Sequence, residues 1–251
     1  MAAASQCPHT LFVSLGSDCA VAEYLRGAGL RDAAYPFDWA VTYGGACRLV
    51  RAAVSPPPGV PPGVPPGARS TSWCAVDGAN YNAEFGVFHM HASFPLALPT
   101  MMRRCERLRA ALAADDGRAV VFVRRSHLLH HHMEHPGSAA LVDEVADARE
   151  LAMFLQAEFP AKAARGLLRV ELMLACDLCH PKVEANEAGR GGALLTVHNL
   201  TRGSSASFAE HFPSKTYKDA MVERLTSLTA GTSLGSQTPG FIDDPFALEV
   251  V

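Results

Sequence analysis

TLFVSLGSDCAVAEYLRGAGLRDAAYPFDW, residues 10 to 39, places a strand, a turn, a helix and a stiff aromatic segment within 30 residues. Leu11, Phe12, Val13 and Leu15 form a short, nearly continuous apolar run that stops at Gly16, as a buried strand does when it meets a turn that needs free φ. Ser17 or Asp18 then supplies an N-cap. Val21, Leu25 and Ala28 recur at helical spacing, and Gly29 ends the helix as its left-handed residue. This spacing puts Cys19 in the first helical turn.

A thiol in that position faces unpaired backbone N–H groups and the positive end of the helix dipole, both of which favour thiolate. The competing reading makes Cys19 a small buried hydrophobe that helps the helix dock on a sheet. Asp18 opposes ionisation unless its side chain turns back to cap the helix. Ser17 is a second possible nucleophile, but no G-x-S-x-G elbow surrounds it.

With 251 residues, 49% of them apolar, the chain can bury one large core, and we read residues 1–251 as a single α+β domain. A net charge of −3 and a pI near 6.4 give no basic field for nucleic acid, although Arg103, Arg104, Arg107 and Arg109 cluster locally. No apolar run is long enough for a membrane span, and the N-terminus carries no basic region of a signal peptide. Seven cysteines at irregular spacing favour reduced thiols and an intracellular, cytoplasmic home.

In PFDW, Pro36 biases Tyr35 toward extended backbone, and alternation would turn Phe37 and Trp39 inward with Asp38 pointing elsewhere. Phe37 and Trp39 read as an aromatic plug. Asp38, among apolar residues soon after the helix, is a candidate to cap a helix, hold a histidine or bind substrate. A short helix over 46–54 precedes SPPPGVPPGVPPGA, where seven of 14 residues are proline. That run reads as a disordered Pro/Gly-rich loop insertion at 55–69.

In YNAEFGVFHMH, strand alternation puts Tyr81, Phe85, Val87, His89 and His91 on one face. Pro99 then starts a helix with Met102, Cys105, Leu108 and Leu112 buried and its arginines outside that stripe. AVVFV, residues 119–123, reads as a central strand running into Arg124-Arg125, where an arginine at a sheet edge can clamp an anion. Leu141 to Leu155 has the most regular helical periodicity in the chain. Strands are expected over 167–175 and 194–197. The second ends in His198-Asn199, where Asn199 either orients a catalytic histidine or is a turn residue.

Two motifs suggest metals and are set aside. H-x-x-E-H at His131 to His135 has zincin spacing but is broken at once by Pro136-Gly137. Cys176-x-x-Cys179-His180 has neither a second Cys pair nor a second haem ligand in context. No metal or cofactor is assigned.

SLGSDCAVAEYLR followed by GLRDAAYPFDW resembles the opening of a family of papain-like cysteine peptidases, which carry an SLG-x-x-C-x-x-A-x-x-L-R block and then PFDW. The resemblance implies Cys19 as nucleophile, a histidine on a later strand as its base, and a nucleophile helix laid on a mostly antiparallel or mixed sheet. HASF followed by MMRRCERLRAAL matches the family's order of an aromatic strand before an Arg-rich helix, with His91 the better fit for the base and His89 in reserve. The family also shares the F-V-R step at Phe122 to Arg124. The family often has an acidic residue after the histidine where Ala92 stands here, which leaves the third catalytic group open, with Asp38 of PFDW the candidate. The expected activity is hydrolysis or transfer at an acyl, amide or peptide bond. The alternative is a catalytically inactive module that binds a glycan, nucleotide or protein on the same scaffold.

Overall fold

The structure, a computed structural model, describes residues 10–16, 19–42, 45–55, 73–76, 79–82, 86–89, 97–125, 143–175, 186–187 and 194–200, with the single residues 223 and 226. Among these residues the chain forms nine strands and five helices. β1 (Leu11–Ser14) leads to α1 (Cys19–Gly27), β2 (Ala40–Thr42) and α2 (Cys47–Val54). β3 (Trp73–Val76), β4 (Ala79–Asn82) and β5 (Val87–His89) follow, then α3 (Leu98–Ala113) and β6 (Val120–Arg125). α4 (Glu144–Glu158), α5 (Pro160–Ala164), β7 (Leu168–Ala175), β8 (Asn186–Glu187) and β9 (Leu194–Leu200) complete the order.

The main sheet has five strands in the order β1-β6-β7-β9-β8. Its first four strands are mutually parallel, and only the two-residue edge strand β8 runs antiparallel. The expectation was a mostly antiparallel or mixed sheet under the helix of Cys19; the sheet is parallel but for β8, while the mixture of helix and strand agrees with α+β. The cause is visible in the connections to two of the strands: α3 precedes β6, and α4 with α5 precedes β7, so β6 and β7 are reached by helical crossovers that restore their direction. Such strands are covered on both sides, which is why LFV and VVFV are almost wholly apolar.

Alternation assigns the two faces. Leu11, Val13, Leu15, Val120, Phe122, Leu168, Val170, Leu172, Leu195 and Val197 share a core with residues of α2, α3 and α4. Phe12, Val121, Val123 and Met173 face the other way, against Ala20, Val21, Tyr24 and Leu25 of α1. Thus α1 lies alone against its face among the described helices. Gly29, at φ +67, closes it: Gly29 N–H donates to Arg26 O and Leu30 N–H to Leu25 O, the paired bonds of a Schellman end. A second, antiparallel sheet has the order β2-β5-β4-β3.

Two buried charges of the core, Arg124 and Asp147, sit in matched sets. Arg124 is fully buried, and all five of its N–H groups find acceptors. Nε and Nη2 hold the two oxygens of Glu144, Nη1 donates to Thr42 Oγ1 (2.6 Å) and Leu15 O (3.3 Å), and Nη2 also reaches Thr42 O (3.1 Å). The anion that Arg124 holds is the carboxylate of Glu144 in α4. Asp147, one helical turn on, accepts from Ala46 N–H (2.7 Å) and Cys47 N–H (3.3 Å), capping α2 from a distance. Gly45 leaves room for it, since a Cβ there would strike the Asp147 carboxylate. Arg104 departs from expectation: it is 7% exposed and lies on the buried side of α3, with Met101, Cys105 and Leu108.

Arg124→Ala strips Glu144 of its counterion inside the core and should cost about 3–5 kcal/mol in urea unfolding. The double variant Arg124→Met with Glu144→Leu should recover most of that loss, and a double variant as unstable as the single one would contradict this account of the pair.

Candidate active site

β1 delivers the chain to its turn with Leu15 N–H bonded to Val123 O at 2.9 Å. Gly16 follows at φ +60, its N–H donating to Ser14 Oγ (3.2 Å). Residues 17 and 18, the expected caps, lie outside the described residues. Cys19 is the first residue of α1, as the spacing requires. It is partly exposed and sits where the helix leaves the carboxyl end of a parallel strand, the edge at which open α/β sheets bind their ligands.

The other two cysteines whose surroundings are described differ from it. Cys47 is buried, and desolvation pushes its thiol up to about 11 although Arg51 Nε donates to its sulfur at 3.3 Å. Cys105 is buried in the α3 core contact, and burial pushes it up to about 12. Both are inert thiols at neutral pH.

PFDW abuts the Gly16 turn, but it is not extended. Asp38 N–H donates to Tyr35 O and Ala40 N–H to Phe37 O, each at 3.2 Å, forming two consecutive turns with Pro36 at the second position of the first. Trp39 adopts φ +65 at the third position of the second turn and is the sole non-glycine at positive φ among the described residues. Its ring carries the Arg26 guanidinium 5.4 Å from the centroid. Phe37 is buried as expected, but Asp38 is buried with it, at 2% exposure. Its Oδ2 accepts from Tyr35 N–H (2.9 Å) and pairs with Arg31 (2.8 Å), while Oδ1 has no hydrogen-bond partner among the described residues. Burial raises the Asp38 carboxyl above its ordinary value, against the opposing pull of Arg31. The contact with the first motif is backbone on backbone: a Cβ on Gly16 would run into Phe37 O and come within 3.0 Å of Ala40 O.

β5, which ends at His89, pairs with β2 just after PFDW. Ala40 pairs with His89 across the antiparallel ladder. His91 itself lies outside the described residues, as do the His131 to His135 motif, the Cys176 to His180 motif and the proline run at 56–69. Asn199 belongs to β9, its Cα paired with Leu174.

One pair escaped the reading of the sequence. Glu171 and His198 are buried, at 1% and 5% exposure, and His198 Nε2 lies 2.5 Å from Glu171 Oε2. A carboxylate at a buried position of the apolar run LRVELMLA was the available signal. Its partner could not be read, because it lies on another strand.

A partly exposed cysteine opening a helix at the carboxyl edge of a parallel sheet defines a protein of mixed helix and strand with a candidate thiol site. Residues 10–62, which span β1, α1, PFDW and α2, match the family model described as "Putative papain-like cysteine peptidase (DUF1796)". No curated protein and no solved structure matches the chain.

Gly16→Ala should destabilise the fold by about 2 kcal/mol or more, through both the left-handed φ and the clash with PFDW, as measured by chemical unfolding. A neutral effect would contradict the contact. Asp38 supplies a pH test. A carboxyl whose folded pKa is raised contributes stability fully below the ordinary value of 3.8 and loses it as pH rises through the folded value. Asp38→Asn should therefore gain on the wild type as pH rises above 3.8 in urea titrations. The opposite slope would mean that Arg31 outweighs burial.

Proposed function

We propose that this chain is a cysteine hydrolase or acyltransferase acting on an acyl, amide or peptide bond, with Cys19 as nucleophile. The observation that carries the proposal is the placement of Cys19: first residue of α1, at the carboxyl edge of the parallel strands, partly exposed. Cys47 and Cys105 are sealed in the core. The family match over residues 10–62, which contain Cys19, supports the same chemistry.

In this reading a histidine takes the thiol proton and the sulfur attacks the acyl carbon, forming the S–C bond as the carbonyl electron pair moves onto oxygen. Backbone N–H groups in the first turn of α1 stabilise that oxyanion. The tetrahedral intermediate collapses, the leaving group departs with the proton held by the histidine, and a thioester remains on Cys19. Water or an acceptor nucleophile then resolves it, which decides between hydrolysis and transfer. The resemblance nominates His91 for the base, and the reading of PFDW makes Asp38 the candidate third group. The pairing of Ala40 with His89 and the Asp38 Oδ1 without a hydrogen-bond partner among the described residues support that nomination.

p-Nitrophenyl acetate tests the proposal without knowledge of the natural substrate. Intact-mass and peptide analysis should find one acetyl group on Cys19, removed by hydroxylamine. Cys19→Ser should carry none while losing less than about 1.5 kcal/mol of stability. An unacetylated wild type, with a serine variant destabilised by about 1–3 kcal/mol, would make Cys19 a packing residue.

A further inference from the structure

Helical phase decides which way Cys19 looks. Ala20, Val21, Tyr24 and Leu25 are the residues with which α1 packs on the sheet, and at 3.6 residues per turn they centre on the side of the helix opposite Cys19. Arg26 follows Cys19 by seven residues, about 20° short of two full turns, so the two share the outward face about 10 Å apart along the axis. A helical side chain leans toward the N-terminus, which draws the Arg26 guanidinium nearer to the thiol than that spacing. Arg26 is exposed, and Cys19 is partly so.

Trp39 flanks the same face. Its backbone lies between Phe37 O and Ala40 O, both of which abut Gly16, three residues before Cys19. Its ring lies under the Arg26 guanidinium, 5.4 Å from the centroid. The tryptophan thus spans from the turn that leads into Cys19 to the last turn of α1. Expected as part of an aromatic plug, it stays partly exposed instead, at a φ of +65 that a bulky residue keeps only where its surroundings impose it and that recurs at ligand clamps. The Arg26 guanidinium, among the described residues, makes the ring contact and no hydrogen bond or ion pair; Glu23, on the same face, is not its partner. A guanidinium held over an indole keeps its N–H edge for a ligand, and the planar fork of that edge fits a carboxylate through two parallel hydrogen bonds.

We infer that Arg26, held over Trp39, binds a carboxylate of the substrate, so that the acyl group attacked by Cys19 belongs to a chain with an acidic group within about three residues of the reacting carbonyl. This rests on the reading of Cys19 as nucleophile. The carboxylate sets the register of the substrate on the outward face of α1 and takes no part in bond making.

The test uses the wild-type chain and a ladder of iodoacetyl-oligoglycines, roughly one to five residues long, each as the free acid and as the C-terminal amide. Each alkylates a thiol with loss of iodide, and the members of a pair differ only in the carboxylate. Mass spectrometry, cysteine by cysteine, should find the acids labelling Cys19 about tenfold faster than the amides at a length of about two or three glycines, with the advantage fading at shorter and longer ones. On a chain of net charge −3, unspecific attraction would favour the amides. In Arg26→Gln the advantage of the acids should vanish, and Arg26→Lys, with the charge but no fork, should restore part of it. Equal rates for acid and amide at every length in the wild type overturn the inference and leave the nucleophile standing, as does a preference for acids that survives Arg26→Gln. A Cys19 that no member labels faster than Cys47 or Cys105 removes the underlying reading as well. Should the Arg26 variants fail to fold, the wild-type ladder still decides, because an acid preference without an optimum of length also overturns the inference.

Discussion

Arg124 is the constraint on which the arrangement depends. A guanidinium cannot shed its charge in the core, so its burial at the end of β6 requires an acceptor for every N–H, and each acceptor comes from a different part of the chain. Leu15 O belongs to the end of β1, Thr42 to β2, and Glu144 to the start of α4. Replacing such a set by apolar residues is often neutral for stability, so its effect here is chiefly one of geometry. It pins the carboxyl end of β1, from which α1 and Cys19 depart, to the small sheet on one side and to α4 on the other. The same helix adds Asp147 as a cap for α2, so two carboxylates one turn apart join α4 to the amino-terminal third of the chain.

Gly16 supplies the second fixed point. Its left-handed φ turns the chain out of β1, and its missing side chain lets Phe37 O and Ala40 O approach. SLG and PFDW are thus two halves of one contact, which gives a physical reason for their occurrence together within the stretch that matches the family model. The Trp39 backbone, strained at φ +65, is held by the turns around it and by Asp38, whose carboxylate ties Tyr35 N–H to Arg31.

Much of this was legible in the sequence where the signal is local. The apolar run to Gly16, the helical spacing from Val21 and the left-handed Gly29 fix β1 and α1, and with them the place of Cys19. The direction of the sheet was not, because a buried apolar strand reads alike in parallel and antiparallel pairing, and only the helices between strands decide it. PFDW misled for a related reason: proline suits an extended chain and the second position of a turn equally, and nothing local announces a tryptophan at positive φ. Arg104 seemed to lie outside an apolar stripe that in fact includes it. Glu171 and His198 are 27 residues apart and meet only through the register of β7 on β9, which no periodicity encodes.

The chemistry drawn from this fold needs one cysteine to differ from the rest, and the fold predicts which. Cys47 and Cys105 sit behind packed side chains with their thiols held well above neutral, whereas Cys19 opens a helix at the sheet edge. The most direct measurement is competitive labelling of the native chain with substoichiometric iodoacetamide at pH 7, read cysteine by cysteine by mass spectrometry. Cys19 should take up label at least tenfold faster than Cys47 or Cys105. Equal or slower labelling of Cys19 would contradict the account at its centre.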